Sequence, residues 1–257
     1  MLKVRIIPLL LLKGASLVKS VGFVDHRVVG DAVSAIKVFS QRFADEMVIL
    51  DLDAAERGTV NHSLLNRISE FCNMPVAFGG GVNTLEKADI LFRSGADKIV
   101  VNSVFFTDLD VVRAVINKYG SQSIVASVDY RSDGVFIRNG TVKVNRKLKD
   151  YLKDVELLGV GEIYLNSIDK DGTGFGYDLI QVEESVKEIK IPIIIAGGAG
   201  NELHLSEGLD LECISAVATA NLFNFVGDSL EKTRNNLLGD DYSLAFWDTK
   251  FAKNLKG

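Results

Sequence analysis

Short apolar runs rich in β-branched residues alternate along the chain with stretches of helical periodicity. The runs occupy residues 4–11, 47–52, 75–78, 98–102, 124–129, 162–167, 191–196 and 214–218. Each is continuous rather than strictly alternating, which is the pattern of parallel strands covered on both faces. Helical spacing fills the intervals at 32–43, 64–72, 84–94, 109–119, 148–158, 180–189, 202–209 and 229–236. Eight strands, each followed by a helix, predict a closed (β/α)8 TIM barrel. An open doubly wound sheet competes with it, but its usual six strands would leave two units over.

Two interruptions break the alternation. Residues 18–30 predict a long loop after the first strand. Residues 131–146 after the fifth strand predict a hairpin around Asn139-Gly140, since Asn-Gly suits a tight turn between strands. Long segments after barrel strands gather at the C-terminal face, where barrel enzymes place their chemistry.

The sequence also repeats weakly near half its length. Met74-Pro75-Val76-Ala77-Phe78-Gly79-Gly80-Gly81 resembles Ile191-Pro192-Ile193-Ile194-Ile195-Ala196-Gly197-Gly198. Such spacing predicts a barrel of two duplicated halves. Both glycine clusters follow a strand and precede a helix. Bare backbone amides there can approach a phosphate; equally, the glycines can serve turns that need positive φ. Two clusters at one phase of the repeat favour two phosphate sites, one using Gly80 and Gly81 and the other Gly197 and Gly198. Asn102 and Ser103, Asp171, Gly172 and Thr173, and Asn221 follow other strands and could complete them. The expected ligand is a small molecule with a phosphate at each end.

Asp129 ends the fifth strand and is a candidate general acid or base, or else a loop-capping carboxylate. The half-barrel repeat places Leu11 at the equivalent position of the first strand. Two carboxylates there would make an acid/base couple. Leucine cannot move a proton.

Composition narrows the class. The 257 residues, 47% hydrophobic and 25% charged, suit an ordered globular chain with 1–257 as one barrel domain. A formal charge of −5 argues against a nucleic-acid partner. Two distant cysteines, Cys72 and Cys213, do not frame a secreted disulfide scaffold. His26, His62 and His204 show no i, i+4 pairing, and no CxxC occurs, so neither metal nor cofactor is expected. The apolar run 6–12 is too short for a membrane helix, which needs about 20 residues, and it lacks a leader's cleavage site. Cytoplasmic residence is the expectation.

Several motifs carry a resemblance. Arg5-Ile6-Ile7-Pro8, Gly79-Gly80-Gly81, Gly95-Ala96-Asp97-Lys98, Gly120-Ser121-Gln122-Ser123, Ser167-Ile168-Asp169-Lys170-Asp171-Gly172-Thr173 and Gly197-Gly198-Ala199-Gly200 resemble the cyclase subunit of imidazole glycerol phosphate synthase, the HisF family, over nearly the whole chain. The resemblance implies a (β/α)8 barrel that takes ammonia from a glutaminase partner, HisH, and uses it on a bis-phosphorylated ribulosyl substrate. It implies an aspartate couple ending strands one and five, of which Asp129 matches the second and Leu11 replaces the first. It implies an ammonia entrance of four charges, here Arg5, Glu46, Lys98 and Glu162, beside a glutaminase contact at Asp97. Charges at strand starts also have a plain reading as solvated ends or a buried ion network. Lys19 matches a loop lysine near the family's substrate, and serves equally well as a solvated surface lysine.

The leucine-rich stretch after Ile6-Ile7-Pro8 is similar to a diverged branch of this family. That branch is associated with acetamidino modification of bacterial surface sugars, where barrel and glutaminase supply ammonia to an ATP-dependent amidotransferase. Three functions follow as expectations: an ammonia-relaying subunit of that pathway with little or no cyclase activity, an ordinary cyclase (a lyase) of histidine biosynthesis, and a non-catalytic phosphate-binding scaffold.

Overall fold

The structure is a computed structural model that describes residues 3–41, 44–220, 229–240 and 242–245. Asn221, predicted at a phosphate site, lies outside the described residues.

In chain order the strands are β1 (Arg5–Lys13), β2 (Ser16–Val21), β3 (Val24–Asp31), β4 (Met47–Asp51), β5 (Val76–Gly79), β6 (Lys98–Val101), β7 (Ile124–Arg131), β8 (Gly134–Ile137), β9 (Val142–Val144), β10 (Glu162–Ser167), β11 (Ile193–Ala196) and β12 (Ala216–Thr219). Parallel pairing runs β10–β11–β12–β1–β4–β5–β6–β7, and β7 pairs back to β10, so eight strands close a ring. Helices lie between them, among them Ala32–Gln41, Leu85–Arg93, Leu109–Tyr119 and Glu202–Leu209. This is the (β/α)8 barrel that the alternation predicts.

Side-chain alternation sorts the core into two shells. Ile6, Leu10 and Leu12 of β1 join the outer shell against the helices. Ile7, Leu9 and Leu11 of the same strand enter the lumen, with Val48, Val100 and Val125 from other strands. Both faces of each strand are apolar because both are covered. Each such aliphatic side chain contributes about 1.5–3 kcal/mol of burial.

The expected loop at 18–30 is instead a β-hairpin. β2 pairs antiparallel with β1, and β3 with β2. Its β3 side is exposed and mixes three valines with charged residues, so no continuous apolar run marks it. A left-handed turn at Gly22 and Phe23 closes it. The second hairpin is where Asn139-Gly140 predicts it, between β8 and β9, with positive φ at Arg138, Asn139 and Gly140. The two hairpins leave the barrel alike: Leu11 pairs with Val18 on β2, and Asp129 pairs with Phe136 on β8. Both rise from C-terminal strand ends and overhang one mouth, where Gly140 packs against Phe23.

Candidate functional site

The two glycine turns lie on the same face of the barrel. Gly80 and Gly81 follow β5, and Gly197 and Gly198 follow β11, at the C-terminal ends of parallel strands. Close backbone packing also requires them. A Cβ on Gly80, at φ +118°, would sit 2.2 Å from the Asp51 carbonyl oxygen, and one on Gly198, at φ +111°, 2.0 Å from that of Gly176. Glycine is therefore obligatory at both turns whatever binds there.

A cavity opens between the second turn and the first hairpin. Lys19, Arg27, Gly172, Gly197, Gly198 and Leu11 are among its walls. Lys19 and Arg27 are cross-strand neighbours on the hairpin. Lys19 is buried, and burial together with the nearby Arg27 charge lowers its ammonium pKa to about 8. A cationic wall facing glycine backbone is chemistry suited to an anionic group.

The predicted phosphate residues differ in what their side chains do. The Asp171 carboxylate accepts the Ser20 hydroxyl at 2.7 Å and the Phe23 N–H at 3.3 Å, so it clasps the hairpin to the loop after β10. Burial raises its pKa. Thr173 donates its hydroxyl to the Lys170 carbonyl at 2.8 Å, a turn contact. Asn102 donates to the Ser127 carbonyl at 3.0 Å and to the Asp129 carboxylate at 3.1 Å, and Ser103 donates to Asn102 Oδ1 at 3.2 Å. The Asn102 amide thus sits beside the candidate acid. His204 closes a local turn by accepting the Gly200 N–H at 3.1 Å.

Asp129 projects from β7 on the lumen side. Burial pushes its carboxyl up to about 7; a Ser127 hydroxyl bond at 3.3 Å pulls the other way, and the charge of Asp171 adds to the rise. A carboxyl near neutrality is poised to give and take a proton at working pH.

The strand register fixes its height relative to Leu11. Leu11 pairs with Leu50, Leu50 with Gly79, Gly79 with Val100, and Val100 with Val125. Continued through β10, β11 and β12, the line returns to β1 at Lys3, eight residues before Leu11. That stagger is the shear of a (β/α)8 barrel. A hydrogen-bonded line therefore descends one residue per strand. Four strands round, the point level with Leu11 lies four residues beyond Val125, at Asp129.

At the opposite mouth the four predicted charges converge. Arg5 Nη1 donates to Glu46 Oε2 at 2.5 Å, and its Nη2 pairs with Glu162. Lys98 Nζ reaches Glu46 at 2.7 Å and Glu162 at 3.1 Å. The charges alternate round a closed square. Glu46 and Glu162 are buried, and only Arg5 and Lys98 reach solvent, with about a fifth of each side chain exposed, so of the two plain readings the ion network fits and solvated ends do not. Isolated buried carboxylates would be costly, so the cations cover them. Asp97 is exposed beside the square, and its carboxylate also accepts the Val76 N–H at 2.8 Å.

Sequence reasoning passed over three lumen residues near Asp129: Ser127, Tyr164 and Asn166. The available signal was the period of two on β10, where Glu162, Tyr164 and Asn166 share the lumen face.

Among the described residues no helix is long and apolar enough to cross a membrane. With both mouths in view, the class is a (β/α)8 barrel whose glycine turns, Lys19 and the raised carboxyl of Asp129 gather at the C-terminal ends of the strands, the arrangement of barrel enzymes. The family model described as histidine biosynthesis protein matches residues 5–227. The chain is 40% identical, over 88% of its length and 93% of the relative's, to a Pseudomonas aeruginosa protein provisionally named imidazole glycerol phosphate synthase subunit hisF2. It is 39% identical to the imidazole glycerol phosphate synthase subunit HisF of Pyrobaculum aerophilum, over 86% of this chain and 90% of that one. The chain belongs to the histidine biosynthesis protein family, among homologues of the HisF subunit.

Proposed function

We propose that this chain is an ammonia-relaying HisF-like subunit with cyclase activity weakened or lost. In this reading a HisH-like glutaminase docks over the Arg5, Glu46, Lys98 and Glu162 square and delivers ammonia into the barrel. Ammonia leaves at the C-terminal mouth for an ATP-dependent sugar amidotransferase, in the acetamidino modification of a surface-polysaccharide sugar. The carrying observation is Leu11, level with Asp129 on the opposite strand. A cyclase needs proton transfer on both sides of its substrate, and one side here is hydrocarbon. The neighbouring Leu9, Leu10 and Leu12 offer no substitute proton carrier.

The alternative is an ordinary cyclase of histidine biosynthesis. Asp129 with a carboxyl near neutrality, the Lys19 and Arg27 wall, and the paired glycine turns favour it. In both readings phosphorylated ligands occupy the C-terminal mouth, with Gly80, Gly81, Asn102 and Ser103 at one end and Asp171, Gly172, Thr173, Gly197 and Gly198 at the other. A phosphate-binding scaffold would keep that mouth without relay.

The deciding assay follows imidazole glycerol phosphate formation from the bis-phosphorylated ribulosyl substrate with exogenous ammonia, for wild type, Leu11→Asp and Leu11→Asp/Asp129→Asn. A positioned acid or base contributes about 10²–10⁴ in rate. Wild type should run barely above background, Leu11→Asp should gain, and the double variant should lose that gain. Wild-type turnover at an ordinary cyclase's rate replaces this reading with the alternative.

A further inference from the structure

Behind the charge square stands a further ion pair. Asp45 precedes Glu46 in the chain, and Ile6 follows Arg5. The Asp45 carboxylate accepts the Ile6 N–H at 3.1 Å. That contact lies below Leu9 and Val48, the first paired residues of β1 and β4. A side chain thus ties the two strand starts where their backbone ladder has not yet begun. Two adjacent corners of the square, Arg5 and Glu46, sit next to this tie in the chain. Asp97 stands in the same relation to Lys98, accepting the Val76 N–H at 2.8 Å, but from an exposed position.

Asp45 differs from Asp97 in being buried and in having a cation of its own. Arg234, on the helix Ser229–Gly239, donates through Nη1 to the same Asp45 oxygen that holds Ile6. The Arg234 and Asp45 side chains are only 6% and 4% exposed. The other Asp45 oxygen, Oδ1, is buried without a hydrogen-bond partner, so compensation of this carboxylate rests on Arg234 and the Ile6 amide. Arg234 Nη2 donates to the Ala245 carbonyl at 2.7 Å. The same segment reaches the start of β1, where the Val4 N–H donates to the Ser243 carbonyl at 2.9 Å. A guanidinium can hold two such partners at once because its donors form a fixed fork.

We infer that Asp45 and Arg234 are a positioning pair for the charge square. Asp45 sets the spacing of Arg5 and Glu46, and Arg234 fixes Asp45 from the C-terminal helix. The spacing matters because Glu46 serves two corners, Arg5 at 2.5 Å and Lys98 at 2.7 Å. A displaced Glu46 therefore loosens two sides of the square together. The inference rests on the relay reading only for calling the square an ammonia entrance; the pair itself belongs to the isolated chain.

The test uses the full chain alone, with its lysines isotope-labelled at Nζ and the Lys98 signal assigned by Lys98→Arg. Lys98 reports on Glu46, its partner in the square. Arg234→Met alone would strand a buried carboxylate, so the pair is removed whole, as Asp45→Ala/Arg234→Met. The expected result is a displaced Lys98 signal whose ammonium protons exchange roughly tenfold faster, the effect of one weakened hydrogen bond. Lys143, paired with Asp133 on the second hairpin, should keep its signal. Asp45→Asn/Arg234→Met retains an acceptor for the Ile6 N–H and should return the Lys98 signal toward wild type. An unmoved Lys98 signal in the folded Ala variant overturns the inference. So does an equal change at Lys98 and Lys143, which marks general loosening, or no recovery with Asn. Arg234→Gln, which keeps a donor for one partner only, should move Lys98 the same way by less. If the Ala variant does not fold, an unmoved Lys98 in Arg234→Gln overturns the inference in its place. Because neither glutaminase nor substrate is present, failure of the relay reading leaves this result unaffected.

Discussion

Leu11 and Asp129 stand at the same height on opposite strands of the barrel, linked by the eight-residue stagger of the closed sheet. One is hydrocarbon and the other a carboxyl that burial pushes up to about 7. That asymmetry has a consequence for stability. The folded-state pKa lies above the ordinary 3.8, so the folded chain holds this proton more tightly than the unfolded chain does. The contribution to stability is present at low pH and is lost as pH rises from about 4 through about 7. Asp129→Asn should therefore stabilise the protein increasingly between pH 5 and pH 8, by a gain on the order of 4 kcal/mol at most. Urea midpoints at the two pH values check it; an equal effect at both would show that Asp129 is ionised throughout.

The charge square should be intolerant of losing a cation. Lys98→Met leaves Glu46 and Glu162 sharing Arg5 alone. Breaking a fully buried ion pair costs about 3–5 kcal/mol. With a fifth of each cation's side chain exposed, about 2–3 kcal/mol is expected here. Denaturant unfolding measures this directly, and a loss below 0.5 kcal/mol, the ordinary scatter of surface substitutions, would mean that the carboxylates find solvent instead.

Asp97 has two roles to separate. Its charge is exposed near the square, and its oxygen caps the start of β5. Asp97→Lys should weaken glutaminase binding, and Asp97→Asn should keep the cap through its amide oxygen while losing the charge. Calorimetric titration should then place Asn between wild type and Lys. Equal binding by all three would remove Asp97 from the interface.

Lys19 makes anion binding at the C-terminal mouth depend on pH. Its ammonium loses its proton near pH 8. Affinity for inorganic pyrophosphate should fall as pH rises from 7 to 9. Lys19→Arg keeps a charged guanidinium and should hold its affinity at pH 9. Isothermal titration at the two pH values distinguishes the cases; parallel losses in both proteins would assign the pH effect elsewhere.

The barrel itself was legible in the linear chain. Strands buried on both faces must be apolar throughout, and helices between them must carry a 3.6-residue stripe, so eight alternations were countable without coordinates. Asn139-Gly140 marked one hairpin because a tight turn with positive φ needs such residues. The glycine clusters were equally visible, since they mark the turns after two strands, where no Cβ fits. The first hairpin was hidden: β3 is exposed, and its three valines among charged residues form no continuous apolar run. The roles of Asp171 and Asn102 side chains were hidden too, because their partners Ser20 and Asp129 lie 151 and 27 residues away.

By itself, then, the sequence determined the eight strand–helix alternations, the closed barrel, the glycine and Asn-Gly turns and the leucine at position 11, all properties of local periodicity and residue type. The tertiary structure alone decided which groups meet. Register and shear set Leu11 level with Asp129, drew four charges from the starts of four strands into one square, and set Tyr164 and Asn166 on one inward face of β10. The physical reason is closure: a sheet that returns on itself with an eight-residue offset fixes, for every inward side chain, a height and a neighbour that no local stretch of sequence contains.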